Sequence, residues 1–186
     1  MVLVDTNVLL DVLQDDAQWA DWSQGELETA SLTDTLAINA VIYSELSMAF
    51  ERIEELEAVV SDASLSLELI PREALFLAGK AFLSYRRRRG TKQGVLPDFY
   101  IGAHAAVSGF ALLTRDVSRY RSYFPTVRLI APPSCILDCD SISRRKSGRR
   151  HLKRRPTQPR RIADDLLDAG AGGIDQRARR QGVQSS

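Results

Sequence analysis

The sequence predicts a three-layer α/β domain, in which helices cover both faces of a parallel sheet of about five strands, followed by a disordered basic tail. Short, mainly apolar runs alternate along residues 1–132 with longer segments whose apolar side chains have helical spacing. A chain that alternates strands with helices generally forms a parallel sheet with helices on both faces. The composition turns basic in residues 133–186, which we assign to a separate extension.

Five runs of three or four residues are the predicted strands. The first, Val2-Leu3-Val4, is too short for a helix and is β-branched at two of its three positions, which is typical of a buried strand in a parallel sheet. The other four are of similar length and lie at residues 36–38, 67–70, 110–113 and 127–130.

Helices are predicted between these strands. Thr6 or Asn7 can cap a first helix that starts near Val8. Asn39 can cap a helix whose apolar stripe continues to Phe50.

Two prolines mark the starts of two later helices. Pro71 fits the first turn of a helix that reaches Tyr85, and Pro97 begins another that ends at Gly109. The second has a small-residue face that allows close packing on the sheet, formed by Gly102, Ala105, Ala106 and Gly109.

Four consecutive arginines, Arg86, Arg87, Arg88 and Arg89, end the helix that follows Pro71. Cations are favourable at a helix C-terminus because they complement its dipole, which is sufficient to explain the run. A contact with nucleic-acid phosphate is the functional alternative.

Charge divides the chain into two unlike parts. Residues 1–133 hold 12 Lys and Arg against 18 Asp and Glu, a net charge of −6, whereas residues 134–186 hold 13 against 6, a net charge of +7. The second part has no aromatic residue, so it cannot bury enough surface to fold alone and should be disordered. It is either an arm that binds RNA phosphates without sequence preference or an unselected extension.

Cysteine content and hydropathy exclude several classes. Cys135 and Cys139 are too few to form a structural zinc site and do not require a disulfide. No apolar run approaches the 18 residues of a membrane span, and no signal-peptide pattern begins the chain. We therefore expect a soluble cytoplasmic protein without membrane contact.

Four acidic residues occupy positions that can converge. Asp5 and Asp116 follow the first and fourth strands, Asp98 lies in the first turn of a helix, and Glu45 interrupts an apolar helical stripe. Strand carboxyl ends and helix amino ends share one edge of a parallel sheet, which is where such folds bind ligands. The alternative is structural, with the aspartates as helix caps and Glu45 paired with an arginine.

Converging carboxylates predict a metal site. Four of them within a few ångströms would repel one another unless divalent cations neutralised them. An all-oxygen ligand set selects Mg²⁺ or Mn²⁺, which can activate water for phosphoryl displacement without a Ser, His or Lys nucleophile.

Four motifs carry a resemblance to the PIN-domain ribonucleases and, more narrowly, to the VapC toxins of bacterial toxin–antitoxin pairs. In order and spacing over residues 1 to about 132, the sequence is similar to that family at Val-Leu-Val-Asp5-Thr6-Asn7, Ser44-Glu45-Leu46, Leu96-Pro97-Asp98-Phe99-Tyr100-Ile101-Gly102-Ala103-His104 and Leu113-Thr114-Arg115-Asp116. The extension over 133–186 departs from the pattern, since these toxins usually end near residue 133.

The resemblance implies a site and a function. It implies a PIN-like α/β/α fold in which the catalytic metal ligands are Asp5, Glu45, Asp98 and Asp116, with Asn7 and Thr114 forming hydrogen bonds around them. It also implies cleavage of single-stranded or loop RNA, such as tRNA or rRNA. A homodimer is expected, together with inhibition by a cognate antitoxin that inserts a basic side chain into the acidic pocket.

Two other functions fit parts of the sequence. One is a non-catalytic protein that binds RNA or a partner through the basic tail, although acids kept together in a cleft would repel RNA. The other is a phosphatase that uses Asp5 as a covalent nucleophile, but position 7 would then normally be an aspartate rather than Asn7, and Glu45 would have no role.

Overall fold

A five-stranded sheet in which every strand is parallel to its neighbours forms the centre of the computed structural model, which describes residues 1–88 and 94–133. Its strands are β1 (Val2–Val4), β2 (Leu36–Asn39), β3 (Ser66–Glu68), β4 (Ala111–Leu113) and β5 (Leu129–Ile130). The order across the sheet is β3-β2-β1-β4-β5, so β1 is central and pairs with both β2 and β4. The predicted parallel sheet of about five strands is confirmed.

Seven α-helices connect the strands in the part of the chain that the structure describes. They are α1 (Thr6–Leu13), α2 (Ala20–Ser31), α3 (Ala40–Leu46), α4 (Ile53–Asp62), α5 (Arg72–Arg87), α6 (Pro97–Ser108) and α7 (Val117–Tyr123). The chain moves outward from β1 to β3 and then crosses back to β4 and β5. Because such crossovers are right-handed, the two directions place their helices on opposite faces, which gives the predicted three layers.

The first and third helices differ from the prediction at one end each. Helix α1 starts at Thr6 rather than near Val8, because the extended backbone of Asp5 already occupies the N-cap position. Helix α3 ends at Leu46 instead of continuing to Phe50, and a 3₁₀ turn follows it (Ser47–Ala49). Ser47 Oγ donates to Ser44 O at 2.7 Å, a local side-chain bond that competes with helical pairing.

Close packing of α6 against the segment after β4 depends on a glycine. A Cβ atom on Gly102 would lie 2.4 Å from Phe124 Cδ2 and 3.0 Å from Tyr120 Cδ1. The small face predicted for this helix is therefore used at Gly102, but its contact is with the aromatic rings of α7 and its C-terminal flank. Both rings are buried, so this contact packs α7 and its C-terminal flank closely against α6.

Within the described ranges, no helix is long and apolar enough to cross a membrane. The predicted domain boundary at 132–133 falls at the end of the described chain. The predictions for the basic extension, including Cys135 and Cys139, lie outside the described residues.

Candidate active site at the carboxyl edge of the sheet

Asp5 is the buried acid at the centre of this edge. It follows β1 directly, and its N–H donates to Leu113 O of β4 at 2.9 Å. Its side-chain oxygen Oδ2 accepts hydrogen bonds from Thr114 Oγ1 at 2.6 Å, Asn7 Nδ2 at 2.8 Å and the Tyr120 hydroxyl at 3.1 Å. Asp5 is only 3% exposed, so these three neutral donors replace the water that it loses on folding.

Burial dominates the titration of this carboxyl. Desolvation raises the pKa of Asp5 above its ordinary value, and the nearby charge of Glu45 acts in the same direction. The hydrogen bonds from Thr114 and Tyr120 oppose the shift because they stabilise the carboxylate. The charged form of Asp5 is thus held in position by hydrogen bonds but still costs free energy.

Asn7 and Thr114 both donate to Asp5 and contact each other. Besides contacting Asp5, Asn7 Nδ2 is 3.3 Å from Thr114 Oγ1, and Asn7 Oδ1 accepts from the N–H of Arg115 at 3.2 Å. Thr114 Oγ1 accepts from the N–H of Asp116 at 3.0 Å. The two side chains therefore connect the start of α1 to the loop after β4.

Tyr120 is a site residue that the sequence analysis missed. It lies on α7 and is fully buried, and its hydroxyl donates to Asp5. Burial raises the pKa of Tyr120 well above its ordinary value, and the carboxylates of Asp5, Asp116 and Glu45 raise it further. The hydroxyl thus remains protonated and can serve as a donor. In the sequence, Tyr120 looks like any aromatic core residue of a short helix.

Glu45 is held by a hydroxyl. It lies on α3, and Thr6 Oγ1 at the start of α1 donates to its Oε2 at 2.6 Å. The alternative of a buried glutamate paired with an arginine is not what the structure shows, because Glu45 is half-buried and its partner is neutral.

Asp98 and Asp116 flank α7. Asp116 directly precedes that helix, and Ser118 Oγ donates to its Oδ1 at 3.0 Å. Asp98 lies in the first turn of α6, whose N-cap residue is Leu96, and forms an ion pair with Arg119 of α7. Both side chains of that pair are partly exposed, 26% for Asp98 and 38% for Arg119.

A second buried acid, Asp11, differs from Asp5 in forming an ion pair with an arginine side chain. Arg115 Nη2 lies 3.0 Å from Asp11 Oδ1, and Ser23 Oγ donates to Asp11 Oδ2 at 2.7 Å. The guanidinium of Arg115 also covers the Trp19 ring, at 5.3 Å from its centroid. This cluster ties the loop after β4 to α1 and α2, and it was not predicted.

One arginine of the run, Arg88, lies beside α7. The Arg88 guanidinium is 5.7 Å from the centroid of the Tyr123 ring, which in turn packs edge-on against Phe99, next to Asp98. Arg86 and Arg87 are in the last turn of α5, and Arg89 lies outside the described residues. A role of the run in binding nucleic acid stays a prediction.

The donor set suits a hard divalent cation, although the acids do not form a complete coordination shell. Within residues 1–88 and 94–133, no three Asp, Glu, His or Cys side chains lie close enough together to hold a metal ion. In the same ranges Asp5 has no ion-pair partner, whereas Asp98 is engaged by Arg119. The oxygen chemistry and the uncompensated charge of Asp5 fit Mg²⁺ or Mn²⁺. The four-acid metal site itself stays a prediction.

Comparison with known proteins establishes the family. The model of the PIN domain family matches residues 2–123, and the chain belongs to that family. No curated protein matches the sequence significantly. PIN domains of VapC toxins are nucleases, and PIN domains generally use divalent metal ions. The predicted family is therefore confirmed.

The solved structures similar to this chain include VapBC2, VapBC-1 and a toxin–antitoxin complex. A chain of VapBC2 from Rickettsia felis, bound to a DNA fragment from its promoter, is similar over 72% of this chain and 100% of that one, with a TM-score of 0.56 and 18% identity. A chain of a toxin–antitoxin complex from Klebsiella pneumoniae is similar over 72% of this chain and 98% of that one, with a TM-score of 0.53 and 17% identity. A chain of VapBC-1 from nontypeable Haemophilus influenzae is similar over 70% of this chain and 98% of that one, with a TM-score of 0.52 and 16% identity. At these identities the likeness concerns the fold.

Proposed function

We propose that this chain is a metal-dependent endoribonuclease and the toxin of a type II toxin–antitoxin pair. The observation that carries the proposal is the contrast between two equally buried acids, each 3% exposed. Asp11 is neutralised by Arg115, whereas the partners of Asp5 among the described residues are neutral donors, at the edge where parallel sheets bind ligands. A buried carboxylate without a cation is costly, which favours a role in binding one.

The residues that would hold the ion are Asp5, Glu45, Asp98 and Asp116. When bound, Mg²⁺ or Mn²⁺ would supply activation of water and stabilisation of charge during in-line cleavage of a phosphodiester. The three side-chain donors to Asp5 all contact Oδ2, and the backbone N–H of Thr6 is a further donor, so the carboxylate is held in one orientation. Thr6 fixes Glu45 in the same way.

The same fold in toxin–antitoxin complexes supports a protein partner. We propose a cognate antitoxin that binds over the acidic edge, and a homodimer of the toxin, as the resemblance implies. The substrate we propose is single-stranded or loop RNA, in tRNA or rRNA, since the site must reach an unpaired phosphodiester. The phosphatase alternative gains no support, because Asn7 donates its amide to Asp5 and cannot act as a general acid.

Cleavage of a panel of structured RNAs in Mg²⁺, Mn²⁺ or EDTA tests the nuclease. Asp98→Asn should abolish metal-dependent cutting with folding intact, because it removes a charged ligand and keeps the shape of the side chain. Asp62→Asn is the matched control, since Asp62 is exposed at the far end of α4 and undergoes the same chemical change. Unchanged cutting by Asp98→Asn would refute the site.

A shortened chain ending at Pro133 separates the nuclease from the tail-binding alternative. Under the nuclease proposal it keeps metal-dependent cutting. If instead RNA affinity disappears with the tail and divalent ions have no effect on the full chain, the protein binds RNA through its extension and the nuclease proposal fails.

A further inference from the structure

Arg119 is the one basic side chain, among the described residues, that forms an ion pair with any of the four predicted metal ligands. Its partner is Asp98 Oδ2, across the contact between α7 and α6. Asp5, Glu45 and Asp116 accept instead from neutral side chains. Among these four acids, Asp98 is therefore the one whose charge is balanced by an arginine.

We infer that Arg119 is an internal counter-ion that competes with the divalent metal for Asp98 and, once displaced, binds a phosphate of the RNA. The inference rests on the proposed function. A guanidinium and a divalent cation bound to the same carboxylate repel each other, so metal binding at Asp98 weakens the ion pair and favours the departure of Arg119.

Exposure makes this exchange feasible. Both members of the pair contact solvent, and exposed ion pairs contribute little net stability. The backbone of α7, in contrast, is anchored by the buried rings of Tyr120 and Phe124. Arg119 can thus change its partner by a side-chain rotation while its Cα stays beside the site.

A displaced Arg119 would have a suitable ligand close at hand. The planar guanidinium forms two parallel hydrogen bonds to phosphate, and a substrate phosphodiester must approach the same edge to be cut. Arg88, held over Tyr123 of the same helix, provides a second cation nearby. One residue would then have opposite effects on the two ligands: it weakens metal binding and strengthens RNA binding.

Calorimetric titration of the metal-free full chain with Mn²⁺, without RNA, tests the first half. Arg119→Gln should tighten Mn²⁺ binding by about two- to fivefold, the range expected for removal of an exposed ion pair. Arg119→Lys keeps the charge and should bind Mn²⁺ nearly as the unchanged protein does. Arg121→Gln, in an exposed position on the same helix, is the control for loss of charge alone.

Binding of single-stranded RNA in Ca²⁺, measured against salt, tests the second half. Loss of one phosphate contact in Arg119→Gln should weaken binding and reduce the slope of log K against log salt by about 0.7. Melting temperatures show whether each variant is folded. Equal Mn²⁺ affinity in Arg119→Gln and the unchanged protein, or an unchanged salt slope, would overturn the inference.

Asp98→Asn distinguishes this inference from the proposed function. If Asp98→Asn lowers Mn²⁺ affinity but Arg119→Gln does not raise it, the metal site stands and the counter-ion is wrong. If Asp98→Asn leaves Mn²⁺ affinity unchanged, the proposed metal site itself fails, and the inference fails with it.

Discussion

Replacement of Gly102 by alanine should destabilise the domain even though alanine is the better helix former. The new Cβ would lie 2.4 and 2.5 Å from two atoms of the Phe124 ring, whereas carbon atoms in contact are normally about 3.5–4.0 Å apart. The ring must therefore move by about 1 Å within a packed interior. Overpacking of this kind costs about 1–3 kcal/mol, against a gain in helix propensity of about 1 kcal/mol.

Gly79→Ala isolates the steric term. Gly79 is also inside a helix, α5, but a Cβ atom added there would meet nothing within 4 Å, so alanine at this position should stabilise by about 0.4–1 kcal/mol. Thermal unfolding should then show Gly79→Ala melting above the unchanged protein and Gly102→Ala melting below it, by about 2–8 °C for each kcal/mol. Equal stabilisation by both substitutions would refute the packing of α6 against α7.

Two further predictions concern buried ionisable groups. Asp5→Asn should raise the melting temperature in EDTA at pH 7, because it removes a buried charge and its repulsion by Glu45. Mn²⁺ should stabilise the unchanged protein more than this variant. A lower melting temperature of the variant in EDTA would contradict this prediction. His104 is buried, and its Nδ1 lies 3.2 Å from Asn39 Nδ2 while Asn39 Oδ1 caps α3. Burial lowers the pKa of His104, and the Glu68 carboxylate partly opposes this shift. The imidazole is therefore protonated in the unfolded chain before it is protonated in the folded one, so stability should fall as pH drops below about 6.5. Urea unfolding at pH 7.5 and 5.5 should show a smaller difference for His104→Gln; an equal difference would contradict the assignment.

Local sequence signals predicted the parts of the site that depend on chain neighbours. The apolar strand before Asp5 and the capping amide of Asn39 are readable because strand length and cap chemistry act within a few residues. The confirmed order of strands and helices then requires Asp5 and Thr114 to meet, since β1 and β4 are adjacent. Here topology, once known, was sufficient to place the residues.

Contacts between elements distant in sequence were not predictable in the same way. Tyr120 donates to Asp5 across 115 positions, and Asp98 pairs with Arg119 rather than capping its own helix. Both depend on how α7 packs against the rest of the domain, including its close approach to α6 at Gly102. Helical periodicity indicates which face of α7 is buried but not which carboxylate a side chain reaches.

The direction of Arg115 accounts for the charge that remains at the site. This arginine lies in sequence between Thr114 and Asp116, and its backbone N–H contacts Asn7, yet its guanidinium binds Asp11 and covers Trp19. Had it bound Asp5, one ion pair would have neutralised the buried acid and lowered its cost. The fold instead places this cation on Asp11 and gives Asp5 three neutral side-chain donors, which orient a carboxylate without cancelling its charge. This arrangement of charge is what the proposed binding of a divalent cation at Asp5 requires.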